Sequence, residues 1–552
     1  MHHPSDSVEL AEPGQGGPDT VIAEVLPGVG VVLGKVPAEL KLDLIDFGLV
    51  PAADRTRIST VLASMGNAAT VGGNLASAFG SMQGIYRLSN ETLALLKAGG
   101  TLAVKDGANL GAVMSSSRVV GQARFIPVTA VSTAQTIALI GPALAMVALQ
   151  MQLSEITGLV RTNIALTSQV LTTIRHGQWA ELTALVATID DVVDQARAVG
   201  SVPTSLWDTV AGKKADLRTQ LDLYRLHVDT HIRQVHQLDT RGRREYLETN
   251  AEAIVFDANA LLSSVKAWIG YQALHAARAR TAGPEDAGEA RLVEDIASRT
   301  GKELRSALAE TTSLVNSLTR ELRILVELPG RGTLPLPGKR RDANAARQTS
   351  ALLLAAIEPL ADALHPPAPP LEAPGVVCAP ESLALEPYLR ILRWFLEDDE
   401  TLRVLGFPDQ LEALGSISAI FSGAKEKLAA VVDKAAARTL VAVTDRRIIT
   451  AKANAFLEQG EIRQYIPVDR VRYVRAAAAQ DRSQRLAVDL ITSDENIRWL
   501  FQPEIDRTQV DEFAAVLAES MAISDVERDE LQRRRHAAIE PDKKADSTGQ
   551  VS

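Results

Sequence analysis

Phe125–Ser154, FIPVTAVSTAQTIALIGPALAMVALQMQLS, contains no Asp, Glu, Lys or Arg; Arg124 closes it on one side and Glu155 on the other. Roughly 20 apolar residues are enough to cross a hydrocarbon core, so this stretch admits three readings. It is a buried central helix of a soluble bundle, a constitutive membrane span, or a helix sequestered in a soluble form and inserted later. Thr129, Ser132, Thr133, Gln135 and Thr136 weaken the span reading, and Gly141-Pro142 predicts a kink. Under the membrane readings the contacting residues are Phe125, Ile137, Leu139, Ile140, Leu144, Met146 and Leu149. The apolar pattern then continues through Ile156, Val160 and Ile164 into an ordinary polar helix, which favours the buried reading.

Upstream, the chain is short of charge. Between Arg57 and Glu155 the charged residues are Arg87, Glu91, Lys97, Lys105, Asp106, Arg118 and Arg124. Ile58–Tyr86 is charge-free and rich in small residues (Gly66, Gly72, Gly73, Gly80 and Gly84), which allow close backbone approach. Val21–Gly48 is apolar and broken by glycine, as short strands or turns would be. Residues 1–20, polar and acidic with no basic-then-apolar leader, read as a disordered tail without a secretory signal.

Downstream, three apolar stripes step by three and four residues. They are Leu217, Leu221, Tyr224, Val228, His231, Val235, Leu238; Leu247, Ala251, Ile254, Ala258, Leu261, Val265, Trp268; and Leu304, Leu308, Thr311, Val315, Leu318, Leu322, Leu325. Each set lies on one side of a long helix, and short connections at Gly242 and Gly283-Pro284 make neighbours antiparallel. The fold class is mainly α: an elongated antiparallel helical bundle with a charge-poor N-terminal region, followed by a small C-terminal α+β domain. The expected divisions are a tail (1–20), a charge-poor lead-in (21–124), the bundle (125–328), a helix between proline-rich linkers (329–381), short helices (382–436), the α+β domain (437–521) and a charged tail (522–552).

The α+β domain carries the one family resemblance. Leu440-Val441-Ala442-Val443-Thr444-Asp445-Arg446-Arg447-Ile448-Ile449, then Ile466-Pro467-Val468-Asp469-Arg470-Val471, then Trp499 and Phe501 ahead of a C-terminal helix, resemble the bacterial pleckstrin-homology-like (PH-like) domain over about 430–521. The resemblance implies a bent barrel capped by a helix, serving as a lipid-surface, protein-binding or assembly module. Arg446, Arg447 and Lys452 are its candidate docking residues. Acidic residues in the block balance the basic ones, which favours protein contact over lipid headgroups. Asp445-Arg446 also reads simply as a turn with an Asp side chain bonded to backbone.

Other motifs yield less. Gly28–Lys35 superficially resembles a phosphate loop but has Val29 and Val36 where that loop needs Gly and Ser/Thr. His227 and His231 share a helix face, yet His231 lies on the apolar stripe, where a buried polar residue more often sets register than holds metal. Cys378 sits in a proline-rich linker, and a single cysteine suits a reducing compartment. Asp190-Asp191 and Asp398-Asp399-Glu400 have no partner set and read as solvated helix faces. Arg241–Arg244, Lys339–Arg341 and Arg533–Arg535 are short basic clusters in turns, linker and tail. A net charge of −10 argues against broad nucleic-acid binding. The expectation is a non-enzymatic, cytoplasmic interaction or scaffold protein without cofactor, metal or small-molecule substrate, binding a protein partner or itself. The alternative is a membrane-acting protein, a helical pore-former or peripheral organiser, that uses 125–154.

Overall fold

The computed structural model describes residues 20–34, 43–45, 47–67, 82–88, 93, 104–105, 108–115, 118–131, 134–170, 176–238, 240–282, 286–330, 337–411, 438–478 and 485–519. The expected tails, the Gly-rich core of Ile58–Tyr86 and the later part (412–436) of the span expected to form short helices fall wholly or mainly outside these residues. The chain divides into two units: Met1–Leu318 with Ala355–His365, and Thr319–Leu354 with Pro366–Ser552.

The first unit opens with a seven-stranded sheet: β1 (Thr20–Leu26), β2 (Val29–Gly34), β3 (Asp43–Ile45), β4 (Met82–Arg87), β5 (Val104–Lys105), β6 (Ala108–Ser115) and β7 (Arg118–Ile126), ordered β3-β4-β2-β1-β7-β6-β5. β1 and β7 are parallel, Ile22 pairing with Phe125, and the other neighbours are antiparallel. Phe125 and Ile126 therefore end a strand instead of starting a helix, a correction to the reading of 125–154. Glu24 is buried where β1 meets the next helix. Its carboxylate accepts the Gly28 amide at 3.1 Å and the Val128 amide at 3.2 Å, the latter at the start of α2 (Val128–Val131).

Helices dominate the rest of this unit. They are α1 (Ala52–Asn67), α3 (Ala134–Val170), α4 (His176–Val199), α5 (Thr204–Val210), α6 (Lys214–Gln237), α7 (Thr240–Ala282) and α8 (Ala287–Glu327, to Leu318). α3 runs through Pro142 without ending. α7 is the central rod: nearly every residue from Ile254 to Tyr271 is buried, and α3, α4 and α6 pack on it. Contacts Arg218–Trp268, Tyr224–Phe256 and His231–Tyr246 make α6 and α7 antiparallel; Arg218–Glu303 and Arg225–Glu310 run α8 alongside α6. The first two apolar stripes are buried throughout apart from Leu238, and in the third Leu308 and Leu325 are half-buried. Gly242 lies inside α7, so the turn expected there is displaced to the residues between α6 and α7. Gly270 is a close-approach site, since a Cβ there would lie 2.8 Å from Ile189 Cγ2 on α4.

The second unit is a small α+β domain built on two sheets. A five-stranded sheet, β13-β12-β11-β9-β8, is built from β8 (Val376–Cys378), β9 (Leu402–Gly406), β11 (Thr439–Thr444), β12 (Arg447–Lys452) and β13 (Gln464–Pro467). A four-stranded sheet, β10-β16-β15-β14, is built from β10 (Asp409–Leu411), β14 (Val471–Ala478), β15 (Leu486–Thr492) and β16 (Asn496–Leu500). β9 and β10 carry one stretch of chain across the corner between the sheets, so Leu402–Gly406 and Asp409–Leu411 are strands within the span 382–436 where short helices are expected. The closing helix α12 (Arg507–Glu519) buries Val510, Phe513, Ala514 and Leu517, with the Phe513 ring edge-on to Trp499 and Phe501.

Packing on both faces explains why β11 is buried along its whole length. Val441 and Val443 face the barrel core with Ile448, Val488, Trp499 and Phe513. The helix after the first linker is α9 (Pro337–Leu364). Leu440 and Ala442 face a second core made by α10 (Glu386–Arg393), α11 (Ala453–Gln459), Ile324 near the end of α8 and Leu328 just beyond it. The five-stranded sheet is thus covered on both faces.

Candidate functional site

The β11–β12 turn holds two of the three expected docking residues. Thr444 Oγ1 accepts the amides of Arg446 and Arg447 at 3.1 and 3.0 Å and donates to Glu400 Oε1 at 2.7 Å. Asp445 bonds backbone, though not its own: Oδ1 accepts the Thr401 amide at 3.0 Å. Arg447 clasps Glu400 through Nε at 2.9 Å and Nη2 at 2.7 Å, and its guanidinium carbon lies 4.9 Å from the Tyr465 ring centroid. The Glu400 side chain is fully buried. Burial pushes its carboxyl upward. The Arg447 hydrogen bonds, the Glu397 amide and the Thr444 hydroxyl outweigh that and hold it below the ordinary range. Arg446 sits between Glu397 and Asp399 and bonds both.

Both arginines are therefore engaged by one acidic loop, Glu397–Glu400, some 47 residues upstream, and the Asp398-Asp399-Glu400 run is no bare solvated face. Arg393 reaches Asp398 at 3.4 Å. The five carboxylates Glu397, Asp398, Asp399, Glu400 and Asp445 meet three guanidiniums, of Arg393, Arg446 and Arg447, so the neighbourhood has a negative surplus. Lys452 is exposed at the end of β12, away in sequence from this turn.

A different surface of the barrel is open. On the outward side of the four-stranded sheet, Tyr473 and Ile491 are paired across β14 and β15 and are 48% and 38% exposed. The next outward row is Arg475, Asp489 and Arg498 on three successive strands, with Arg498 gripping Asp489 through Nε at 2.5 Å and Nη2 at 2.8 Å. The alternation of β14 is disguised in sequence by a bulge between Val471 and Tyr473, which shifts the inside–outside phase by one residue.

In the bundle, His227 and His231 converge on Asp257 of α7. His231 Nε2 lies 3.0 Å from Oδ2 and His227 Nδ1 3.2 Å from Oδ1; the Tyr246 hydroxyl is 2.7 Å from His231 Nδ1. Among the described residues no group of three His, Cys, Asp or Glu is arranged to hold a metal ion. Each carboxylate oxygen has one imidazole, which locks α6 against α7 in a single register.

Of the membrane-contacting candidates, Phe125, Ile140, Leu144, Met146 and Leu149 are buried in the first unit; the side chains of Ile137 and Leu139 lie outside the described residues. Ile140–Arg161 is long and apolar enough to cross a membrane, with 44% of its most apolar window buried. Cys378 is buried in β8, donates to the Gln509 carbonyl at 2.8 Å, and has its thiol pushed up to about 12, chiefly by burial.

No family model matches the sequence, and no curated protein matches it. A solved structure of the linker and DH/PH domains of p115-RhoGEF aligns over 68% of this chain and 97% of its own, at 11% identity and a TM-score of 0.16, below the level of a shared fold.

Proposed function

We propose that the protein is a non-enzymatic interaction or scaffold protein whose helical bundle serves assembly and whose PH-like module docks on a protein surface. The asymmetry of that module carries the reading. One sheet is packed on both faces, while the other exposes an adjacent aromatic–aliphatic pair, Tyr473 and Ile491, beside ordered charges. Exposed apolar side chains grouped in this way suit partner contact. Engagement of Arg446 and Arg447 by Glu397, Asp399 and Glu400 favours protein over anionic headgroup. The resemblance to bacterial PH-like domains fits the same role, and a buried, unpaired Cys378 suits a cytoplasmic setting. The test is chemical crosslinking of the intact chain under native conditions, read with light scattering. The expected result is a defined oligomer or a co-purifying partner; a monodisperse monomer with no crosslinked species overturns the reading.

The apolar stretch Ile140–Arg161 supports a second, membrane-acting reading. Flotation with anionic liposomes distinguishes it. Under that reading the native protein floats and a variant carrying Ala138→Asp and Leu144→Lys does not.

A further inference from the structure

α6 carries two stripes at helical spacing. The inner one, running from Leu217 to Val235, is buried. The outer one is Asp216, Thr219, Leu223, Leu226, Thr230 and Arg233. It advances by alternating steps of three and four residues, and every member is exposed. Such a run is the seam of a coiled coil, and here it lies open among the described residues. Reversed, the stripe reads Arg, Thr, Leu, Leu, Thr, Asp, the same residue types with the end charges exchanged. It is therefore its own antiparallel complement.

We propose that a second copy of this chain packs antiparallel on the outer stripe of α6, giving a twofold dimer. The axis passes between Leu223 and Leu226. Each Leu223 then meets the Leu226 of the other copy, each Thr219 meets a Thr230, and each Asp216 meets an Arg233. Such a contact is isologous, made by the same patch on both copies. Parallel pairing is disfavoured, because it sets Asp216 on Asp216 and Arg233 on Arg233, and facing like charges are costly. The remaining charges of the face are balanced. Arg218 holds Asp222 at 2.8 Å, Arg233 Nε lies 3.5 Å from Asp229, and Lys213 lies 3.7 Å from Asp216. These are exposed pairs within one helix and hold their partners weakly, so Asp216 and Arg233 can each take a second partner across the seam. The Thr230 hydroxyl donates to the Leu226 carbonyl at 2.7 Å and leaves no stranded polar group there. The seam is short, roughly 26 Å at 1.5 Å per residue, which gives a reversible dimer. The inference rests on the assembly reading above and adds the surface and its partner.

The test is analytical ultracentrifugation of the full chain over a range of concentrations. The expected result is a monomer–dimer equilibrium, weakened at least about tenfold by Leu226→Asp. Arg233→Asp also weakens it, and adding Asp216→Arg to that variant restores it. Leu352→Asp, at an exposed leucine on α9, leaves it unchanged. Thermal melts establish that each variant is folded. Orientation is read by oxidative crosslinking against the native protein as blank, since Cys378 is buried. Thr219→Cys mixed with Thr230→Cys forms a disulfide-linked dimer, and neither variant does so alone. A wild-type monomer at every concentration, or a loss with Leu352→Asp equal to that with Leu226→Asp, overturns the proposal. So does linkage of either cysteine variant with itself, or failure of the charge exchange to restore the dimer. An oligomer that survives Leu226→Asp, or a monomer that co-purifies with another protein, removes the α6 pairing and leaves the interaction reading standing. A monomer with no crosslinked species removes both.

Discussion

Arg447 holds Glu400 by two hydrogen bonds, of 2.9 and 2.7 Å, inside the second unit, and Glu400 has no solvent-exposed side-chain surface. A buried carboxylate is tolerated only when its charge is met. Removing the partner leaves an uncompensated charge, so Arg447→Ala is expected to cost about 3 kcal/mol, read by urea unfolding followed through the Trp499 environment.

The same pair sets an acid limit. The Glu400 carboxyl is held below its ordinary value of 4.5. A carboxyl depressed in the folded state contributes stability that is fully present above the unfolded value and is lost as pH falls through the folded value. The stability difference between the native protein and Glu400→Gln is therefore flat above about pH 5 and shrinks progressively below about pH 4.5. Melting both proteins from pH 3 to 7 checks this. A difference that instead widens toward acid contradicts the depressed carboxyl.

The helical stripes were readable because helix periodicity is local: Leu217, Leu221, Tyr224, Val228, His231 and Val235 repeat at helical spacing and are all buried. The N-terminal sheet was not readable in the same way. β6 has Val113 as its one β-branched residue among Ala, Gly, Asn and Ser, and the pairing of Ile22 with Phe125 joins residues about a hundred positions apart. The central position of α7 was hidden too. Asp257, Asn259, Lys266 and Arg280 suggest a solvent face, yet all four are buried because α6, α4 and α1 supply partners for three of them. The engagement of Arg446 and Arg447 had no sequence signal, since the acidic loop reaches them only through the fold.

Asp54 on α1 and Arg280 on α7, 226 positions apart, form a second buried pair, with Arg280 Nε 3.0 Å from Oδ2 and Nη2 bonded to Oδ1. Asp54→Ala alone is expected to destabilise by about 3–5 kcal/mol, whereas an Asp54→Leu, Arg280→Met double replacement recovers most of that loss. A double-mutant cycle by denaturant unfolding measures the coupling; additivity of the single losses would mean that the pair does not tie α1 to α7.

Two glycines with positive φ separate backbone strain from crowding. Gly48 (φ 52°) lies against Gln150, whose Oε1 accepts the Leu49 amide at 3.3 Å, and a Cβ at residue 48 would come within 2.2 Å of that oxygen. Gly200 (φ 72°) has nothing within 4 Å of the same position. Gly200→Ala should cost only the left-handed backbone term, about 1 kcal/mol, and Gly48→Ala clearly more, because the Gln150 bond must break as well. Thermal melts of the two variants rank them; equal losses would show that Gln150 moves aside freely.

Cys378 tests the closed side of the barrel. Reaction with iodoacetamide needs the thiolate, and burial pushes this thiol up to about 12 while its Sγ–H donates to the Gln509 carbonyl on α12. At pH 8 the folded protein should be modified orders of magnitude more slowly than in guanidinium, where an ordinary thiol pKa near 8.5 returns. Phe513→Ala removes a large ring between α12 and the sheets, loosening the helix that covers Cys378. Its expected effect is faster labelling at pH 8 without loss of the helical bundle signal in circular dichroism. Labelling of the native protein at the unfolded rate would mean that α12 does not stay closed over β8.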